Sequence, residues 1–292
     1  MSYHGEQGYL NLLNDVIDNG LWEDNRTGIP ALTLPGAMLK FDLREGFPAV
    51  TTKKLAFNAV KGELIGFLRG CTSAAEFREL GCKVWDQNAN ENAKWLGSPH
   101  RAGTDDLGLL GYSHGWRNFG AADKVLGVDQ IHKALQAVRN DPTSRRILVS
   151  AWNPHELEKA ALPPCHVMFQ LLPRSDGTLH MVMYQRSCDM FLGIPFNIAS
   201  YALLLALFAA WTGRKAATLS MMLADVHIYE NHMEQVLTQV KRKPHAEPSL
   251  HMNLHADCEK LGINMLAHTL KPEHIRLEEY THHEPLTGAM AV

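Results

Sequence analysis

An α+β fold, a mixed β-sheet covered by long helices, is predicted by three features of the 292-residue sequence. Strand-like apolar runs cluster between residues 146 and 189. Segments of helical periodicity flank them on both sides. Strands and helices do not alternate in regular βαβ units. Hydrophobic residues make up 46% of the chain, enough for a substantial core. No internal repeat or long linker divides the sequence, so residues 1–292 are expected to form one domain.

The elements follow in order. Residues 6–19 set Leu10, Leu12, Leu13, Val16 and Ile17 at helical spacing. "ALTLPGAMLKFDL" (31–43) alternates like a strand and is expected to turn at Pro35-Gly36. Residues 56–69 read as a helix carrying Glu63 on a mostly apolar body, with Lys61 marking a wet side. Residues 88–108 are polar and glycine-containing, and read as an insertion or mobile loop. An amphipathic helix over 129–142 ends at Asn-Asp-Pro. "RRILVSAW", "CHVMFQLLP" and "LHMVMYQRS" are β-rich, the last two joined by the hairpin signal "RSDG". Helices are predicted at 196–212 and near 228–241. The apolar run Ile198 to Trp211 is shorter than the ~20 residues of a membrane span and reads as a core helix.

Composition narrows the function classes. A net charge of −3 gives no electrostatic argument for nucleic acid or a membrane surface. The basic runs "TTKK" (51–54) and "VKRKP" (240–244) read as solvated surface. Five cysteines without a CxxC pair point away from a zinc site or a disulfide framework and toward a reducing compartment. The N-terminus lacks a basic-then-apolar leader pattern. A soluble, cytoplasmic protein without a metal is expected.

One stretch does not fit a packing role. "MVMYQRSCDMFLGIPFNIAS" (181–200) sets arginine, serine, cysteine and aspartate in a row before an apolar helix. Unpaired burial of such groups costs about 1–3 kcal/mol each. Cys165, after Pro163-Pro164, reads on its own as a small buried hydrophobe. A nucleophilic role requires cations or a base beside it, and sequence alone does not place Arg145, Arg146 or Arg186 there.

Together with "PPCHVMFQ", "DPTSRRILVSAWNPHEL" and "DVHIYENHMEQ", this stretch resembles the signature blocks of the thymidylate synthase family. The blocks run in family order from "NRTG" (25–28) to "EPSL" (246–249), about three-quarters of the chain. The resemblance implies that family's fold, with sheets packed together in a homodimer. It also implies a one-carbon transfer from 5,10-methylenetetrahydrofolate to C5 of dUMP. Cys165 matches the nucleophile that adds to C6 of the uracil. His166 beside it is not expected to be its base, because adjacent strand residues face opposite sides.

The same resemblance implies the other roles. Arg26, Arg186 and Ser187 match phosphate-binding positions, completed by Arg145 and Arg146 from the other subunit; planar forks suit a dianion. Asn197 matches the amide that reads the pyrimidine edge, where asparagine favours uracil and aspartate favours cytosine. From the residues alone, Asn197 reads as a helix-terminus hydrogen-bonding group. His227 and Tyr229 match groups holding the sugar 3′-hydroxyl, and Glu63 the carboxylate that relays protons to O4. Tyr112 matches a tyrosine proposed to assist C5 proton removal. Asp189 faces the folate, and Trp85, Gly193, Phe196 and the terminal Val292 complete its pocket.

Four blocks depart from the family pattern: "RTGIPA", Gly66 in place of tryptophan, "YSHGWR" (112–117) and Ala224 in place of glycine. These departures are expected to reshape the folate cavity. Water entry there would give a 5-hydroxymethyl product in place of methyl. A deoxyuridylate hydroxymethylase is therefore the alternative enzyme, with dCMP a less favoured substrate. A catalytically silent nucleotide-binding relative is the alternative from another class, and RNA binding through "VKRKP" a third.

Overall fold

The computed structural model describes residues 2–120 and 126–290. Its strands are β1 (Ser2–His4), β2 (Leu21–Glu23), β3 (Ala31–Asp42), β4 (Leu148–Ser150), β5 (His166–Pro173), β6 (Thr178–Asp189), β7 (Lys215–Tyr229), β8 (Ser249–Met252) and β9 (Ile275–Glu278). Its α-helices are α1 (Gly5–Asn19), α2 (Phe57–Arg69), α3 (Ala74–Glu79), α4 (Asp86–Asn90), α5 (Ala93–Leu96), α6 (His114–Asn118), α7 (Gln130–Asn140), α8 (Gly193–Trp211), α9 (Met233–Gln239) and α10 (Ile263–Thr269). The predicted α+β class is what is observed.

Seven strands form one mixed sheet in the order β1-β3-β7-β6-β5-β4, with β2 also pairing β3. The β6–β7 and β1–β3 pairs are parallel and the other pairs antiparallel. Period-two alternation sorts the side chains. Met181, Met183, Leu219, Met221 and Leu223 are buried on one face, where α8 and α1 pack. On the other face Met168, Tyr184 and Met222 stay between 37% and 41% exposed, although they are large and apolar.

The helix α8 is apolar all round. It has the length and composition of a membrane span, but it is buried through most of its length as the central core helix. Likewise α2 has no wet side from Val60 to Leu68. Lys61 is buried, its Nζ donating to the Ile275 carbonyl at 2.9 Å, so Glu63 beside it is shielded from solvent.

Three sequence expectations need correcting. The chain does not turn at Pro35-Gly36; β3 continues past it in the same register and pairs β7 on both sides of Gly36. Pro35 is tolerated because neither β1 nor β2 pairs with residues 34–37, so no ladder bond is lost on that side. Gly36 takes φ 74° at the kink. The helix expected at 228–241 begins only at Met233, because β7 carries His227 and Tyr229 as strand residues. Finally, residues 88–108 are folded back on the body. The Arg78 guanidinium bridges Asp86 and Asp105 at 2.8 and 2.6 Å, and Asn90 bonds Asp105 on both its backbone and its side chain.

Candidate active site

The carboxyl ends of β6 and β7, the start of β5 and the first turns of α8 converge on a cavity of about 1900 Å³. Its wall holds Arg26, Glu63, Trp85, Tyr112, Cys165, Arg186, Ser187, Asp189, Gly193, Phe196, Asn197, His227 and Tyr229. The structure thus brings together nearly every site residue expected from the sequence. Arg145 and Arg146 are the exceptions: both are exposed, on the segment leading into β4, and neither lines this cavity. Val292 lies outside the described residues.

Cys165 sits just before β5, held at both ends of its peptide. Its N–H donates to the Tyr112 hydroxyl at 2.5 Å, and its carbonyl accepts the Arg186 N–H at 2.9 Å. Desolvation pushes the thiol above its ordinary value, while Arg186, Arg26 and a hydrogen bond with Ser187 pull it down. Arg186 is itself fixed. Its Nε and Nη2 donate to the Pro164 and Pro163 carbonyls at 2.9 and 3.0 Å, its guanidinium lies over Trp152, and Nη2 stands 4.0 Å from Sγ. Arg26 lies on an exposed turn at the rim, shaped by Asn25, whose side chain binds Thr27 and the Ile29 carbonyl.

His166 was not expected to face the site, yet it lines the same cavity. Cys165 precedes the ladder and the β5–β6 register shifts between His166 and Met168, so strict alternation does not hold there. The imidazole is buried, stacked on Tyr112 with centroids 4.9 Å apart, and desolvation drives it down to about 4. It is neutral and hydrogen-bonds Asn197, so it serves as a positioning group.

Asn197 is buried on the second turn of α8, where its amide does not cap the helix. Its Oδ1 accepts from Gln185 Nε2 at 3.0 Å. Gln185, which the sequence reading assigned no role, also donates to the Ser187 carbonyl at 3.0 Å, and its buried Oε1 meets no donor among the described residues. The entry turn into α8 is shaped by Asp189, whose Oδ1 accepts the N–H groups of Phe191 and Leu192 at 2.9 and 3.2 Å.

Glu63 is 4% exposed and takes one hydrogen bond, from Trp85 Nε1 at 3.0 Å. Burial pushes its carboxyl up to about 8, so it is protonated at neutral pH and close enough to titration to work in both directions. Tyr112 is pushed well above the tyrosine range, chiefly by burial. Its oxygen accepts from two backbone N–H groups, Cys165 and His166, which leaves its O–H free to donate. At the far wall, the His227 ring stands 3.5 Å from the Asp225 carboxylate and 5.0 Å from the Tyr229 ring.

Lys53 is the cation that sequence reasoning missed. "TTKK" reads as solvated surface, but Lys53 is 5% exposed and lines the cavity. Its Nζ donates to the Phe191 carbonyl and lies 3.7 Å from that ring's centroid, and burial lowers it to about 8 against the attraction of Asp189. The only signal in the sequence was Glu6, placed on an otherwise buried face of α1. Its carboxylate accepts the N–H and hydroxyl groups of both Thr51 and Thr52 at 2.7–2.9 Å and so sets the loop that carries Lys53.

Of the departures, only the "RTGIPA" turn reaches the cavity wall, through Arg26, Thr27 and Ala31; Gly66, residues 113–117 and Ala224 do not. A Cβ at Gly66 would meet Phe77 Cε1 at 2.3 Å, so an aromatic ring fills the space there. Ser113, His114 and Gly115 lie behind Tyr112, outside the lining, and Ala224 lies under the exposed face of the sheet. In "VKRKP", Arg242 points inward, donating to the Thr52 and Glu284 carbonyls at 2.7 Å. No group of three metal-ligating side chains is found among the described residues.

A thymidylate synthase family model matches residues 7–292. The chain is 43% identical to a protein of Pseudomonas putida named thymidylate synthase, over 97% of this chain and 99% of that one. It is 42% identical, with the same coverage, to a protein of that name from Bordetella parapertussis. A bifunctional dihydrofolate reductase-thymidylate synthase of Paramecium tetraurelia is 39% identical over 99% of this chain and 62% of its own length. A cavity of this size, with a held cysteine beside Arg186 and a protonated glutamate in its lining, suits the chemistry these relatives share: the chain belongs to the thymidylate synthase family, one-carbon transferases that use methylenetetrahydrofolate as co-substrate.

Proposed function

We propose that this chain methylates dUMP at C5 to give dTMP through a covalent adduct at Cys165. The observation that carries the reading is Cys165 Sγ, open to the cavity and 4.0 Å from Arg186, with Asn197 and Glu63 on the same wall. The cavity exceeds the roughly 300–1,000 Å³ of a pocket for one drug-sized ligand, so nucleotide and folate fit side by side. Trp85, Leu192 and Phe196 offer an apolar wall for flat rings.

The residues divide the work. Arg26, Arg186 and Ser187 anchor the phosphate, and His227 and Tyr229 hold the sugar. Cys165 forms the bond to C6 while the electrons of the C5–C6 double bond move toward C5 and O4. Glu63, protonated at neutral pH, neutralises charge developing on O4 and recovers its proton later. Tyr112 fixes the cysteine and presents its O–H toward the ring. Asn197, oriented by Gln185, reads the N3–H and O4 edge. When bound, methylenetetrahydrofolate supplies the carbon unit and the hydride.

Methyl in place of hydroxymethyl is supported by the placement of Gly66, residues 113–117 and Ala224 off the cavity wall, with Phe77 filling the space beside Gly66. Mass spectrometry of the product from dUMP and methylenetetrahydrofolate tests this. Methylated nucleotide with matching dihydrofolate is expected, whereas 5-hydroxymethyl nucleotide with unoxidised tetrahydrofolate would establish the alternative, and no product the silent binder. Asn197→Asp is expected to lower kcat/KM for dUMP by roughly 10⁴-fold and to favour dCMP in its place, read from the two substrates' specificity constants.

The functional unit in this reading is a homodimer. The uncovered sheet face is apolar, and Leu148, Met168, Tyr184 and Met222 are exposed on it. A second copy packed on that face covers them. Arg145 and Arg146, exposed at its edge beside β4, then complete the phosphate site of the other copy.

A further inference from the structure

The segment 285–290 forms part of the cavity wall, and three side chains from one stretch of chain hold it by its backbone. His232 Nε2 lies 2.8 Å from the Ala289 carbonyl, Gln235 Nε2 donates to the Thr287 carbonyl at 3.1 Å, and Arg242 Nη1 donates to the Glu284 carbonyl at 2.7 Å. A carbonyl only accepts, so the His232 proton sits on Nε2. The ring is fully buried, packed 5.0 Å from Phe191 and edge-on to Tyr229 at 6.0 Å, and its Nδ1 meets no partner among the described residues. With the segment seated, the ring is shut off from solvent. Between these anchors the segment crosses the ring at Gly288, where an added Cβ would lie 2.7 Å from His232 Cδ2 and 3.0 Å from Phe191 Cε1.

We propose that His232 is a positioning residue that latches segment 284–290 over the cavity, and so sets how well water is excluded from the one-carbon chemistry. Its ring touches Tyr229 on one side and the segment on the other, and it thereby joins the nucleotide end of the cavity to its cover. Gln235 and Arg242, both half-buried, hold the segment farther along through bonds that solvent reaches. The inference rests on the function proposed above only for its effect on products.

The test has two parts. Hydrogen exchange of peptide 284–290 in the ligand-free protein needs no turnover, and His232→Ala is expected to speed it about tenfold. Gly288→Ala, which keeps the His232 ring and adds one carbon where the segment crosses it, is expected to do the same by lifting the segment off the ring. His232→Gln, which offers an amide donor at a similar reach, is expected to restore slow exchange. In turnover, His232→Ala is expected to raise KM for the folate more than KM for dUMP and to raise the hydroxymethyl share of product. Unchanged exchange in both alanine variants overturns the latch, as does an equal rise in both KM values. Failure of the wild-type protein to turn over dUMP overturns the functional reading and leaves the exchange result standing.

Discussion

Cys165→Ala is expected to lower kcat by about 10⁴-fold or more while dUMP binding changes little, because the substitution removes the atom that bonds to the ring and none of the groups that hold the nucleotide. The proposed phosphate anchors Arg26 and Arg186, the proposed sugar groups His227 and Tyr229, and Asn197 all sit on other elements. Arg186 is tied to the Pro163 and Pro164 carbonyls, so it stays in place without the sulfur. Cys165→Ser is expected to fare little better, since a hydroxyl is a harder nucleophile of higher pKa. Isothermal titration with dUMP separates binding from chemistry, and intact-protein mass spectrometry reports the adduct. Turnover retained above a hundredth of the wild-type rate, or dUMP affinity lost with it, would sink the assignment of Cys165 as nucleophile.

Glu63→Gln carries the second large effect, and it shows in both activity and stability. An amide cannot shuttle a proton to and from O4, so kcat is expected to fall about 10²–10⁴-fold. The stability effect depends on pH. The folded carboxyl is raised from 4.5 to about 8 by burial, so the folded chain keeps a proton that the unfolded chain releases above 4.5. The contribution of this group is fully present below 4.5 and is lost progressively as pH rises through about 8. Glutamine has no such loss. The variant and wild type are expected to melt alike near the lower value, and the variant to be more stable near the upper one by roughly 2–4 kcal/mol. Melting temperatures across that range check the sign. A gap that stays constant with pH would mean Glu63 is already ionised in the fold.

Much of the site was legible because chemistry restricts residue types. Cys165, Arg186, Ser187, Asn197 and the pair His227 and Tyr229 stand in short runs where packing needs no polar group, and the fold brings all of them to one cavity. Strand and helix runs were legible for a related reason: Met181, Met183, Leu219 and Met221 alternate as a half-covered sheet requires. The end of β7 was not, because "DVHIYENHMEQ" satisfies both periods, and pairing with β3, joined at His227 by β6, keeps His227 and Tyr229 extended. Lys53 and Lys61 were misread for a common cause. A lysine in sequence reads as a solvated charge, while in the fold each reaches a buried carbonyl, of Phe191 and Ile275 respectively.

The order of residues by itself determined the α+β class and the membership in a family of one-carbon transferases, and it supplied the candidate reacting groups, since each depends on residue type and local spacing. Tertiary structure alone decided the environments: that Glu63 keeps its proton, that His166 is neutral and packed on Tyr112, that Phe77 fills the space beside Gly66, and that segment 284–290 rests on His232. Desolvation and hydrogen-bond partners come from residues far apart along the chain, so no local reading of the sequence contains them.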